Sequence, residues 1–226
     1  MISAIIVCGG KGKRMGSKIP KQFLKINRME IFMYSVLVFQ KLREIKKIIV
    51  VVPENYVKVV QKILKKYKVQ NGTVVKGGKE RFHSVYNGLL EAKGSSIVLV
   101  HDGVRPFITK SLVKRVLKGA IKYGACIPVI PVNETLKRIS NGQIKTLNRE
   151  EHFLSQTPQG FKYDLLLEAY NNVIKKGLEI TDEATAVEIL GHPVKVIEGD
   201  RKNIKITYKE DLKIAKSCIK DLKWKV

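Results

Sequence analysis

Short apolar runs rich in β-branched residues recur along this chain: SAIIVC at 3–8, KIIVVV at 47–52, SIVLVH at 96–101 and ACIPVIPV at 125–132. Each is too short for a buried helix and is bounded by turn-forming residues, so each reads as a buried strand. The intervening segments have helical spacing. In TKSLVKRVLKGAIKY (109–123), Leu112, Val116, Leu117, Ala120 and Ile121 fall on one face, and Thr109 is placed to cap the helix. Such alternation implies an α/β fold, a single Rossmann-like, mostly parallel sheet flanked by helices. Sheets of this kind bind ligands beyond the carboxyl ends of their strands, so the loops that follow the strands are where chemistry is expected.

One stretch breaks the rhythm. Between Val132 and Gln156 two short extended runs flank Asn141-Gly142, a strong hairpin signal. This stretch reads as a β-arm (about 132–156) projecting from one domain that spans 1–226. An arm with no core of its own is explained if it packs on a second subunit, so a homodimer is expected.

A chain of 226 residues suits one domain. No run approaches the length of a membrane span. The N-terminus places its apolar run ahead of its basic cluster, the reverse of a secretory signal. Cys8, Cys126 and Cys218 are far apart and sit among apolar neighbours, which argues against a disulfide framework or zinc site and for a cytoplasmic protein. The formal charge of +23 is compatible with a nucleic acid, an anionic membrane or a polyphosphate partner. No zinc finger, basic helix with interleaved aromatics or RNA-binding motif accompanies it, so neither nucleic acid nor membrane is the expected partner.

The clustered charge is more informative. Directly after the first strand comes VCGGKGKRMGSKIPKQF (7–23), where Gly9, Gly10 and Gly12 let backbone approach a ligand. Lys11, Lys13, Arg14, Lys18 and Lys21 supply cations there. The segment fits neither the P-loop nor the dinucleotide fingerprint, which would need a glycine where Met15 stands. It is a different loop for a polyphosphate.

That loop resembles the signature of the sugar-nucleotidyltransferase fold, in the branch where PKQ follows the glycines. Further matches occur in order: GGKERFHSV (77–85), VHDGVRPF (100–107), ETLKR (134–138), QTPQGF (156–161), ITDEA (180–184) and NIKIT (203–207). Together they resemble the 2-C-methyl-D-erythritol 4-phosphate cytidylyltransferases of the non-mevalonate isoprenoid pathway, with the ribitol-5-phosphate cytidylyltransferases as close cousins. ETLKR and ITDEA favour the former; the glycine at position 9, often alanine in those enzymes, leans to the latter.

The resemblance implies CTP and a polyol phosphate as partners, Mg²⁺ as cofactor and release of pyrophosphate. It assigns Arg14 and Lys21 to the triphosphate and transition state, and Arg149 and Lys205 to positioning the attacking phosphate. Gly9, Gly10, Gly12, Gly78, Arg81 and Ser84 fall on the nucleotide side, with Gly77 beside them. Lys79 stands where relatives carry an acid. Asp102, Arg105, Thr135, Thr157 and Thr181 fall on the polyol side, and Asp102 is also the candidate metal contact. Asp102 and Arg105 could instead form a structural ion pair, His101 reads as a wall residue, and Thr181 could equally cap a helix. In NIKIT, strand alternation would turn Lys205 away from Ile204 and Ile206. The attacking phosphate oxygen is already largely ionised near neutrality, so no Ser/His/Asp or Cys/His constellation is required.

Overall fold

The computed structural model describes residues 1–10 and 19–221. The first half runs β1 (Ile2–Val7), the hairpin β2–β3 (Lys25–Ile26 and Met29–Glu30), α1 (Ile31–Gln40), β4 (Ile45–Val52), α2 (Val57–Lys66), β5 (Gly72–Lys76), α3 (Arg81–Glu91), β6 (Ile97–Asp102) and α4 (Lys110–Tyr123). The second half runs β7 (Ala125–Pro131), the hairpin β8–β9 (Lys137–Ser140 and Gln143–Thr146), β10 (Phe153–Ser155), β11 (Gln159–Lys162), α5 (Tyr163–Lys176), α6 (Glu183–Ile189), β12 (Lys195–Glu198) and α7 (Lys209–Asp221).

β1 lies at the heart of an eight-stranded sheet, parallel to β4 on one side and to β6 on the other, with β5 parallel beyond β4. Both sheet faces are covered, which is why these strands read as continuous apolar runs without alternation. Val38, Phe39, Val60, Leu64, Leu112 and Val116, from α1, α2 and α4, pack over one face. Val85, Leu89, Leu166, Tyr170 and Val187, from α3, α5 and α6, pack over the other. Thr109 caps α4 as expected, its hydroxyl oxygen accepting from the Leu112 N–H at 3.2 Å.

The sheet is mostly parallel, as expected, and past β6 two strands run the other way. β11 enters antiparallel between β6 and β7, and β10 also pairs antiparallel with β7, so the sheet is mixed. Gly160 permits this insertion, because a Cβ there would lie 2.9 Å from Val116 and 3.0 Å from Leu99. The arm is shorter than 132–156. Only β8–β9 stands off as a separate two-stranded sheet, whereas residues 153–155 belong to the main one. Its turn is the expected one, with φ of +50° at Asn141 and +76° at Gly142.

Register places three loops together at the carboxyl ends. Val7 pairs with Asp102 across β1 and β6, and with Val51 across β1 and β4. The loops continue the ladder for one more bond: Cys8 N–H donates to Val51 O at 2.8 Å, Gly77 N–H to Val52 O at 2.7 Å and Gly103 N–H to Val7 O at 3.0 Å.

Candidate active site

Two cavities open at these strand ends. The larger, about 470 Å³, is walled by the start of the glycine loop, Lys21, Lys79 and Arg81. The smaller, about 240 Å³, is walled by Arg105, Thr157, Thr181 and Asp182. Arg81, Asp102 and Lys205 line both.

One wall of the larger cavity starts from Gly9 and Gly10. Gln22, a residue given no role by the sequence, holds that loop: its Nε2 donates to Cys8 O at 2.6 Å and Gly10 O at 3.0 Å. Pro20 leads into a 3₁₀ turn over Lys21–Phe23, which buries Gln22 beside the cavity-lining Lys21. Ser84 is a bolt behind the loops. It is buried, donates to Glu80 O at 3.0 Å and accepts from Gly78 N–H at 3.1 Å. A Cβ on Gly9 or Gly77 would lie within 2.8 Å of its hydroxyl, so in this chain the two glycines let Ser84 sit this close. Gly78 and Ser84 therefore support the cavity wall and spend their polar groups on each other. Gly12 and Arg14 lie outside the described residues.

Asp102 organises the centre. Its Oδ1 lies 3.2 Å from Arg81 Nη2, and its Oδ2 lies 2.8 Å from Lys205 Nζ and 3.7 Å from Arg105 Nε. Burial alone would raise its carboxyl pKa, but Arg81, Lys205 and Arg105 outweigh that and hold it well below the usual carboxylate range. The ion pair with Arg105 anticipated from sequence is thus one of three. Beyond Asp102, Arg81 also reaches Glu183, 102 residues away, at 2.7 Å. Arg105 donates to Asn203 O at 2.8 Å and Ser155 O at 3.3 Å, while its buried Nε has no hydrogen-bond partner among the described residues.

His101 and Thr157 form the wall. His101 Nε2 sits 3.1 Å from Arg105 O, which can only accept, so Nε2 carries the proton. Nδ1 then accepts from the Thr157 hydroxyl at 3.0 Å, and that hydroxyl accepts from Asp102 N–H at 3.0 Å. Burial pushes the His101 pKa down to about 4, keeping the ring neutral. Thr157 thereby fixes Asp102 by its backbone. Thr181 lines the smaller cavity and does not cap α6; Asp182 does, its Oδ1 accepting from Thr185 N–H at 3.0 Å. Gln159 secures this segment, donating to Asp182 Oδ2 at 2.8 Å and accepting from Ala184 N–H at 3.1 Å.

NIKIT forms no regular strand, yet its alternation survives: Ile206 is fully buried, tied by its N–H to Val104 O at 2.9 Å, and Lys205 turns to Asp102. Thr135 and Arg149 line neither cavity; Arg149, exposed, donates to Asn133 O at 2.8 Å. Glu183, Asn203, Gln22 and Gln159 were missed from sequence because each is recognisable only by its distant partner. All four stand within motifs the sequence offered, PKQ, QTPQGF, ITDEA and NIKIT, but those motifs did not single them out.

A family model for 2-C-methyl-D-erythritol 4-phosphate cytidylyltransferase (IspD) matches residues 2–221. The enzyme of that name from Clostridium botulinum (strain Eklund 17B / Type B) is 42% identical over 222 residues, covering 97% of this chain and 99% of its own. That from Alkaliphilus oremlandii (strain OhILAs) is 43% identical, covering 96% and 94%. Among solved structures, 4-diphosphocytidyl-2C-methyl-D-erythritol synthase from Anaerococcus prevotii superposes with a TM-score of 0.86 at 30% identity over 97% of this chain and 96% of that one. The Thermus thermophilus cytidylyltransferase gives 0.79 at 33% identity over 96% and 98%. Neither the match nor the coverage leaves out the glycine loop, the Asp102 strand end or the Lys205 segment, and the chain belongs to the 2-C-methyl-D-erythritol 4-phosphate cytidylyltransferase family.

Proposed function

We propose that the larger cavity holds CTP and the smaller one the polyol phosphate, with Asp102 and Lys205 at the seam where the new bond forms. The chain is a nucleotidyltransferase of isoprenoid precursor biosynthesis, moving the cytidylyl group of CTP onto 2-C-methyl-D-erythritol 4-phosphate. A phosphate oxygen of the polyol attacks the α-phosphorus, the α–β bridging bond breaks, and pyrophosphate leaves with the electron pair. The observation that carries the site reading is the sharing of Arg81, Asp102 and Lys205 by both cavities.

Lys21, with Arg14 by family resemblance, neutralises the triphosphate and the charge that builds in the transition state. On the other side Lys205 and Arg105 receive the attacking phosphate; Arg105 brings a buried N–H that makes no hydrogen bond among the described residues. Among the described residues no group of three potential ligands could hold a metal ion by itself. Asp102 is, among the described residues, the carboxylate that lines both cavities, and one carboxylate combined with triphosphate oxygens is a donor set that suits Mg²⁺. When bound there, Mg²⁺ offsets the charge of the leaving pyrophosphate.

The β8–β9 hairpin supports a homodimer in which Thr135 and Arg149 serve the partner's polyol site. Every residue of both strands is exposed, Ile139 and Ile144 included. Mixing two inactive variants tests this. Arg149→Ala chains paired with Lys205→Ala chains rebuild one complete site per heterodimer, so about a quarter of parental activity should return after random exchange. No recovery would place Arg149 in its own chain's site or outside the reaction.

The substrate test is pyrophosphate release with CTP and Mg²⁺, comparing 2-C-methyl-D-erythritol 4-phosphate with D-ribitol 5-phosphate. Release with the first alone is the expected result. Lys21→Ala should slow it by roughly 10²–10³-fold, the usual loss of one transition-state donor, and unchanged turnover would remove Lys21 from the machinery.

A further inference from the structure

We propose that Glu183 is a positioning residue for cytidylyl transfer: it grips Arg81 so that Asp102 stays shared between Arg81 and Lys205. This rests on the placement of both substrates around Asp102 and Lys205 given above. Glu183 lines neither cavity and is fully buried, so it can act only through another side chain.

Its partners are defined. Glu183 Oε1 accepts from Arg81 Nη1 at 2.7 Å and Oε2 from Arg81 Nη2 at 3.2 Å, a two-point grip on the guanidinium. Tyr170 donates its hydroxyl to Oε1 at 3.2 Å. Arg81 then reaches on to Asp102 Oδ1 with Nε at 3.3 Å and Nη2 at 3.2 Å, and Asp102 Oδ2 holds Lys205 at 2.8 Å. Charges alternate along the line Glu183, Arg81, Asp102, Lys205.

The helix ends explain why this line needs its outer carboxylate. Arg81 is the first residue of α3, where the positive end of the helix disfavours a cation. Glu183 is the first residue of α6, where the same effect favours an anion. Without Glu183, Arg81 keeps one carboxylate oxygen and is free to take both oxygens of Asp102, in direct competition with Lys205. Lys205 would then lose the contact that aims it at the seam. The segment that carries Glu183 also carries Thr181 and Asp182 of the polyol wall, so the grip couples that wall to the nucleotide cavity.

Steady-state kinetics of Glu183→Gln, Glu183→Asp and Arg81→Lys test the role, each with folding checked by circular dichroism and turnover expressed per folded enzyme. Glu183→Gln should lower kcat by about 10²-fold, the cost of misplacing reactants by about an ångström, while both KM values change far less. Glu183→Asp, which keeps the charge, should recover at least about a tenth of parental turnover. A kcat in folded Glu183→Gln close to the parent's overturns the proposal, and so does an equal loss in the Gln and Asp variants, because packing alone would produce that. If Glu183→Gln does not fold, Arg81→Lys decides: it keeps a cation between Glu183 and Asp102 but loses the fork, and unchanged kcat overturns the proposal. Lys205→Ala is run alongside. Unchanged use of the polyol phosphate there would remove the site reading itself, whereas a defect in Lys205→Ala beside normal Glu183 variants would remove only the role of Glu183.

Discussion

The strand-end cluster and the β8–β9 hairpin solve opposite problems. Around the buried Asp102 the charge is densely paired, mostly with groups from distant parts of the chain: Arg81 and Lys205 on Asp102 and Glu183 on Arg81, with Arg105 joining from three residues away. The hairpin keeps its strands together by their own register, Ile139 against Ile144, but leaves those residues 70% and 68% exposed. One region is completed within a single chain. The other holds apolar surface that a single chain does not use. Substitutions should therefore act on folding stability in the first region and on association in the second.

The largest effect is expected at Asp102. Asp102→Ala removes the carboxylate that three cations share, and breaking a buried pair in this way should cost about 4 kcal/mol, read as a lower urea midpoint. Turnover should fall as well, because Lys205 and Arg105 lose their common anchor. A variant as stable as the parent would break the contrast, since it would mean that the cations reach water as readily as the hairpin residues do.

Much of this contrast was readable beforehand, and the remainder shows where reading stops. The apolar runs at 3–8, 47–52, 96–101 and 125–132 became β1, β4, β6 and β7 because both faces of those strands are covered, which leaves an unbroken apolar signal. Asn141-Gly142 announced its turn because the required positive φ restricts residue choice locally. β11 gave no such sign. Its QGFK has little strand character, and its place between β6 and β7 depends on Gly160 fitting beneath Val116. In the site, Lys21, Asp102, Arg105 and Lys205 were named by resemblance to the cytidylyltransferases, and the fold brings them to the two adjoining cavities. Glu183 stood in the sequence only as part of ITDEA, because nothing near it in the chain shows that Arg81 waits 102 positions earlier. Asp182 could have been preferred to Thr181 as the cap, because an Asp oxygen three residues ahead of Thr185 is an equally ordinary signal.

A second, smaller effect sharpens the comparison through pH. His101 is buried neutral with its pKa pushed down from 6.5 to about 4, so the unfolded chain binds a proton in that window that the folded chain refuses. Stability should then fall as pH drops from 6.5 towards 4, by about 3 kcal/mol in total. Asp102 has the opposite origin but the same sign of response. Its depressed pKa means that its contribution is present above the unfolded value of 3.8 and is lost only as the pH falls below that. Urea titrations at a series of pH values would separate the two, with His101→Gln flattening the upper window and leaving the lower one. A parent protein with no slope between pH 6.5 and 4 would show that the ring reaches solvent.

The smallest effect on the single chain should come from Ile139→Ser with Ile144→Ser in the hairpin. Neither side chain is removed from water within the chain, so shortening both forfeits little more than their cross-strand contact. In dilute solution the unfolding free energy should stay within about 0.5 kcal/mol of the parent's. At higher protein concentration the two should diverge, because a second copy that covers Ile139 and Ile144 adds binding energy that favours the folded parent alone. Sedimentation at matched concentrations supplies the complementary reading: a dimeric parent and a monomeric variant of nearly equal dilute stability. If stability drops equally at every concentration, the hairpin is held by its own chain after all, and the division between a self-sufficient cluster and a hairpin that awaits its partner does not hold.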